Sequence, residues 1–256
     1  LERSPDEAKW KDVVGVVDFH SHILPGIDDG SKNIQMTEQM LRQGAAQGID
    51  TFVATPHFYP ERVSIERFLR RREEAFELTV PVAQSCGIRL FRGAEVALCP
   101  GLGRGEGIEQ VCVVGTNLML VEMPFRPWTS RDLKELEYLL DRDIQPIMAH
   151  LERFIPIQPK KYIEEILDLP VYVQLNAECF LQWRTRGKPL KLLREGRAHL
   201  LGSDCHNLTN RKVNLAQGRQ VVERKLGRSY LREIDRLGDE LLAGVGTEMA
   251  QQNTAW

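Results

Sequence analysis

The first polar motif in the chain is Asp18-Phe-His20-Ser-His22, followed by Asp28 and Asp29 within Leu24-Pro-Gly-Ile-Asp-Asp-Gly30. On an extended segment, side chains two positions apart share a face, so His20 and His22 can hold one ion. Gly26 and Gly30 permit turns tight enough to swing a carboxylate back towards them. Further motifs follow short apolar runs: Thr55-Pro-His57, Gly93-Ala-Glu95, Glu122-Met-Pro, His150 with Glu152 and Arg153, Asn176, and Ser203-Asp204-Cys205-His206. Five of the six histidines sit in these motifs, and His199, inside a run, reads as a strand side chain. One histidine after a strand is ordinarily structural; this many in a chain with almost no others point to metal. With one of the Asp28–Asp29 pair, the five histidines, Glu95, Glu122 and Asp204 make nine candidate ligands. Imidazole plus carboxylate without thiolate favours Mn, Fe, Zn or Mg over a structural cysteine-type zinc site. Nine ligands exceed the needs of one ion, so two or three divalent ions sharing carboxylates are expected. Such clusters clamp attacking and leaving oxygens in phosphoester hydrolysis and generate hydroxide near neutral pH.

The elements must bring these residues together. Apolar runs cover Val13–Phe19, Thr51–Ala54, Ile88–Phe91, Leu118–Val121, Ile144–Ala149, Val171–Leu175 and His199–Gly202. Helical periodicity covers Ile34–Gln47, Ile65–Ala83, Arg131–Leu140, Lys160–Leu169, Leu190–Glu195 and a long region from Lys212 to about Leu242. Alternating β-rich and helical stretches read as βα units around a parallel sheet. Seven units suit one closed or nearly closed barrel, with an open doubly wound sheet as the alternative. In a βα barrel every strand end opens on one face, so ligands far apart in sequence converge. One domain is expected over 13–242, with an arm or expression remnant at 1–12 and a loose tail at 243–256. Ser31 or Asn33 caps the first helix. Ser64 caps the second, with Arg67 where a reciprocal Glu would sit.

Composition narrows the class. Of 256 residues, 42% are hydrophobic, enough for a sizeable core and inconsistent with disorder throughout. Lys plus Arg is 34 against 36 Asp plus Glu, so broad nucleic-acid binding is not expected. Five scattered cysteines argue against a disulfide framework and for a reducing compartment. No run approaches a bilayer span and no secretory h-region is visible. The expected location is cytoplasmic, without membrane insertion. Arg67, Arg70, Arg71 and Arg72 form either a solvated helix face or a patch for an acidic, phosphorylated tail.

The ordered motifs D18-F-H-S-H-I-L-P-G-I-D-D-G30, T55-P-H57, G93-A-E95, V121-E-M-P, A149-H-L-E-R153 and G202-S-D-C-H-N resemble the PHP (polymerase and histidinol phosphatase) superfamily. They are most similar to its branch of bacterial manganese-dependent protein-tyrosine phosphatases of capsular and exopolysaccharide production. The resemblance runs from Val13 to about Leu242. It implies a distorted TIM-like (β/α)7 barrel with two or three ions, Mn2+ first among them. It implies His20, His22 and Asp204 on one ion, Glu122 and His150 on a second, and His57 and His206 on a third. Glu95 then bridges, Asp29 is the nearer of the Asp pair, and Asp18 orients a ligand from behind. Arg153 grips phosphate, with Arg126 as a second candidate. Asp204 or His206 protonates the leaving phenolate if an acid is used. The implied reaction is direct in-line hydrolysis by a metal-activated hydroxide, with Phe125, Trp128 and Phe154 as candidate walls for the tyrosine ring. The implied partner is the phosphorylated tail of a bacterial tyrosine autokinase, and homo-oligomerisation is left open. A small phosphomonoester such as histidinol phosphate, or a non-catalytic regulatory role, are the alternatives. Thiol-based phosphatases place Arg six positions after Cys, as Cys86–Arg92 and Cys205–Arg211 do, but neither segment has a glycine-rich phosphate cradle.

Overall fold

The computed structural model describes residues 15–243. The expected arm lies outside them, as does the expected tail beyond Ala243. Nine strands occur among the described residues: β1 (Val17–Ser21), β2 (Thr51–Ala54), β3 (His57–Phe58), β4 (Arg89–Arg92), β5 (Glu95–Ala97), β6 (Leu118–Glu122), β7 (Gln145–Met148), β8 (Tyr172–Asn176) and β9 (Leu200–Gly202). Every pairing is parallel, in the orders β1-β2-β4 and β3-β5-β6-β7-β8-β9.

These strands trace seven courses. One course breaks between β2 and β3 at Thr55-Pro56, where proline has no N–H for a ladder. The next breaks between β4 and β5 at Gly93-Ala94. Hydrogen bonding nevertheless crosses the gap, from Gly93 N to Ala54 O (2.8 Å) and Glu95 N to Pro56 O (3.0 Å). The sheet curls until β1 meets β9 at a bridge between Ser21 and Cys205. Asp204 N donates to His20 O and His22 N to Cys205 O along that seam. The result is the seven-unit barrel expected from the run count, with the distortion that the resemblance implied.

Period-two alternation explains the layers. Val53, Leu118, Leu120, Ile147 and Leu200 cluster with Val17 and Phe19. Their alternates Phe52, Met119, Val121, Met148 and Leu201 belong to the larger core that the helices cover. The helices are α1 (Ile34–Ala46), α2 (Ile65–Ser85), α3 (Ser130–Leu140), α4 (Lys160–Asp168), α5 (Gly187–Arg194), α6 (Leu215–Leu226) and α7 (Arg228–Leu242). Asn33 caps α1 by accepting from Met36 N, and Ser64 caps α2 by accepting from Arg67 N. The long final helical region is two helices. Gly227, at φ 99°, separates them, and Leu242 of α7 joins the inner cluster.

Candidate metal and phosphate site

Most motif residues sit at or just beyond the C-terminal ends of the strands, as a barrel requires, while His57 and Glu95 open β3 and β5, just past the breaks that end β2 and β4. Two of them, His150 (φ 31°) and Asp204 (φ 51°), have left-handed backbones. For non-glycine residues this costs on the order of 1–3 kcal/mol each and is held by surrounding structure.

Glu95 stands at the centre. Its Oε2 lies 3.3 Å from Nε2 of His20, 3.3 Å from Nε2 of His22 and 2.9 Å from Nδ1 of His57. Its Oε1 lies 2.8 Å from Nε2 of His150, which is 3.4 Å from Glu122 Oε1. Asp204 Oδ1 lies 3.6 Å and 3.5 Å from the same nitrogens of His20 and His22. Asp29, 64% exposed, reaches Nε2 of both His57 and His206 at 3.4 Å. All nine candidate ligands therefore converge. Four overlapping groups have donor atoms close enough to share an ion: His22, Asp29, His57 and His206; His20, His22 and Glu95; His20, His150 and Asp204; His57, Glu95 and Glu122. His150 thus approaches Glu122, as the resemblance implied, and equally belongs with His20 and Asp204.

The residues behind the ligands fix their direction. Asp28 Oδ2 accepts from His22 Nδ1 (2.7 Å) and from His57 N (3.0 Å), while its Oδ1 accepts from Gly30 N (2.9 Å). Gln174 Oε1 accepts from His150 N (2.9 Å) and faces His20 Nδ1 at 3.1 Å. Both imidazoles therefore aim Nε2 inward, and those two nitrogens are 3.1 Å apart. Asp18, buried, accepts from Ser203 N and His20 N and so ties β9 to β1. Gly30 lies against His22: a Cβ there would sit 2.2 Å from His22 O.

A cation suits this arrangement. The buried atoms Glu95 Oε2, His57 Nδ1, His150 Nδ1 and His206 Nε2 have no hydrogen-bond partner. Burial opposes charge on His22, yet its bond to Asp28 and the nearby Glu95 carboxylate lift its pKa to about 10. Burial is likewise outweighed at His150, where Glu122 and Glu95 lift it to about 9. His206, buried beside His22, falls to about 4. Glu95 and Asp204, though buried, are held well below the usual carboxylate range, with His20 the strongest influence on each. Burial alone pushes Asp18 up to about 6. Protons on the histidines supply the positive charge that the carboxylates demand, and divalent ions would supply it more fully.

Two arginines face the cluster. Arg153 donates to Asp204 Oδ2 at 2.6 Å and Arg211 to Asp204 Oδ1 at 2.9 Å. Both line a cavity of about 420 Å³ with Tyr59, Leu98, Met123, Phe125 and five of the candidate ligands, His57, Glu95, Glu122, His150 and Asp204. Arg211 went unnoticed in sequence because its only visible pattern was the cysteine spacing. Gln174 lies within an apolar run, where a polar residue reads as interruption.

Several expectations need correction. Arg126 does not join the site: it pairs with both oxygens of Asp132 (2.9 and 2.6 Å), the carboxylate that also caps α3 through Thr129. Trp128 and Phe154 are fully covered core residues, leaving Phe125, 61% exposed, as the wall. Tyr59, ring-to-ring 5.3 Å from His57, is the wall that sequence reasoning missed. The arginine cluster on α2 is no single patch. Arg71 donates to Gly26 O and Ile27 O, and buried Arg72 donates to Gly93 O and Gln110 O. Cys205 is buried and its thiol is pushed up by burial, the opposite of a reactive thiolate. His199 immediately precedes β9 and plays a structural part, accepting from Val173 N of β8.

Fold and cluster together define a parallel α/β barrel with a histidine–carboxylate centre able to hold metal ions at its strand ends. Residues 16–239 match the family described as capsular polysaccharide synthesis, CpsB/CapC, and the chain belongs to that family. It is 25% identical over 234 residues to tyrosine-protein phosphatase CpsB of Streptococcus pneumoniae, covering 86% of this chain and 94% of that one. It is 25% identical over 219 residues to tyrosine-protein phosphatase YwqE of Bacillus subtilis, covering 83% and 85%. A chain from the crystal structures of YwqE and CpsB, described as unique metal-dependent tyrosine phosphatases, shares the fold at a TM-score of 0.75 and 21% identity, over 90% of this chain and 95% of that one. The phosphotriesterase homology protein of Escherichia coli, solved with phosphate in its active site, shares it at 0.55 and 12%, over 86% and 95%. No helix among the described residues is long and apolar enough to cross a membrane.

Proposed function

We propose that this chain is a metal-dependent protein-tyrosine phosphatase acting on the phosphorylated tail of a bacterial tyrosine autokinase. The convergence of nine imidazole and carboxylate ligands, Glu95 among them, five of which share a cavity with Arg153 and Arg211, carries the reading. The residues in place to hold two or three divalent ions, Mn2+ first, are His20, His22, Asp29, His57, Glu95, Glu122, His150, Asp204 and His206. When bound, such ions supply Lewis acidity towards water and the phosphoryl oxygens.

The chain's own groups do the rest. Arg153 and Arg211 present planar forks of N–H donors to the phosphoryl oxygens, exchanging one carboxylate partner, Asp204, for another anion. Phe125 and Tyr59 border the cavity and orient the aryl ring. Asp28 and Gln174 keep Nε2 of His22 and His20 aimed inward. A tyrosine phenolate has a free pKa near 10 and leaves more readily than an alkoxide, so a strong acid is dispensable. His206, held neutral beside His22 and Arg211, suits a ligand role rather than that of an acid.

The test is hydrolysis of phosphotyrosine peptide, phosphoserine peptide and histidinol phosphate by metal-stripped and Mn2+-loaded protein. Phosphotyrosine turnover that vanishes with chelator and returns with metal is expected. Preference for histidinol phosphate would move the substrate to small monoesters. Full activity and unchanged metal content in His20→Asn, His57→Asn and His206→Asn alike would end the metal reading.

A further inference from the structure

Next to the proposed catalytic cavity lies a larger cleft of about 690 Å³. It opens between the segment after β7 and the segment joining β8 to α5. Arg153 lines both cavities, so its side chain stands at the boundary between them. Its walls include Ile155, Pro156 and Pro189. Three of the five large apolar side chains exposed among the described residues stand on the two segments that bound it: Ile157 (56%), Leu181 (42%) and Trp183 (71%). None of these three lines the cleft itself; each is a chain neighbour of a lining residue, and such a gathering of exposed apolar groups beside one cleft marks an interaction surface.

The charges are equally uneven. Arg153, Arg184, Lys188 and Lys191 line the cleft against two carboxyls, Glu152 and Glu178. Arg184 lies over the Trp183 ring at 5.0 Å. Neither Arg184 nor Lys188 forms an ion pair among the described residues, and Lys191 meets only Glu195 on its own helix, at 3.6 Å. The N-terminus of α5, which has no side-chain cap, opens into the same cleft and adds partial positive charge.

We propose that this cleft binds the acidic polypeptide segment flanking the phosphotyrosine, so that recognition extends beyond the phosphorylated ring. The inference rests on the phosphatase reading. Apolar walls take side chains next to the tyrosine, and the unpaired cations take carboxylates. Arg153 stands where the chain passes from one cavity to the other. The rim charges steer the substrate and lower its KM without touching the reacting atoms.

The experiment compares Mn2+-loaded wild type, the double variant Lys188→Glu/Lys191→Glu and Trp183→Ala. The substrates are phosphotyrosine peptides flanked by glutamates on either side, the same peptides flanked by lysines, and p-nitrophenyl phosphate. Wild type should favour a glutamate-flanked peptide. Charge reversal should raise its KM about tenfold, leaving kcat and p-nitrophenyl phosphate turnover unchanged. Trp183→Ala should raise KM for glutamate- and lysine-flanked peptides alike. A wild type that turns over every substrate, with variants that match it, overturns the inference alone. A wild type that turns over none overturns the phosphatase reading and the inference with it.

Discussion

Gln174 reaches across from β8 to His20 on β1, placing its Oε1 3.1 Å from the ring Nδ1 while accepting from His150 N at 2.9 Å. One amide oxygen thus positions two candidate ligands from strands 154 and 24 residues away. Replacing it with Leu keeps the volume and removes the acceptor. Metal affinity should fall about 10- to 100-fold, read by calorimetric titration of metal-stripped protein, with far-ultraviolet circular dichroism unchanged. Wild-type affinity in Gln174→Leu would show that His20 needs no such partner.

Gly30 packs where no side chain fits, since a Cβ would lie 2.2 Å from His22 O and 2.5 Å from His22 Cβ. Gly30→Ala should push the Asp28–Asp29 loop away from the histidines. A loss of about 1–3 kcal/mol of stability is expected, which is roughly 2–12 °C in Tm for a chain of this size. Metal binding should weaken as well. Gly187→Ala, whose Cβ meets open space, is the comparison, and its Tm should stay within about 1 °C of wild type.

Metal uptake should release protons. His22 and His150, at about 10 and about 9 without metal, are protonated at neutral pH and must lose that proton to become ligands. Affinity should therefore rise with pH between about 6 and 9. Calorimetry in two buffers of different ionisation enthalpy should detect release of one to two protons per chain at about pH 7. The sign for metal-free stability is opposite. Raised histidine pKa values stabilise the fold fully below the unfolded value of about 6.5. That contribution declines as pH rises and is gone above about 10. Buffer-independent heats would contradict this account.

Cys205 sits in the closing seam, buried and with its thiol pKa raised. Cys205→Ala should keep phosphatase turnover within about threefold of wild type, allowing for a small cavity. An inactive variant that retained its metal would instead implicate the sulfur.

Phe125 and Tyr59 are expected to select aryl over alkyl phosphates. Phe125→Ala should raise KM for a phosphotyrosine peptide about 3- to 10-fold, an effect of the size of one lost aromatic contact. Its effect on a small alkyl phosphate should be slight. Equal effects on both would assign Phe125 to structure alone.

Much of this was legible in sequence. The seven apolar runs correspond to the seven sheet courses, and Thr51–Ala54 matches β2 residue for residue. The strongest features were local: alternation, caps such as Asn33 and Ser64, and polar motifs at strand ends. The short strands His57–Phe58 and Glu95–Ala97 escaped because each resumes a course after a polar break, at Thr55-Pro56 and Gly93-Ala94, too briefly to carry a period of its own. The division between α6 and α7 escaped because amphipathic spacing continues past Gly227. Arg126 misled because nearness to Glu122 in sequence says nothing of Asp132, which captures it. Gln174 and Arg211 matter only through partners on other strands and loops, and no local spacing records such partners.

The closing bridge between Ser21 and Cys205 has a consequence for how the protein is made. During synthesis β1 leaves the ribosome first and waits for β9; Asp18 and Ser203, which join across the seam, are 185 positions apart. Until then His20 and His22 have no Asp204 beside them, and a growing chain exposes an incomplete ligand set. Full-strength metal capture belongs to the finished barrel, and a bound ion then acts as a clasp on the last-formed edge. Loss of metal should loosen the seam between β1 and β9 before it disturbs the strands on the far side of the barrel.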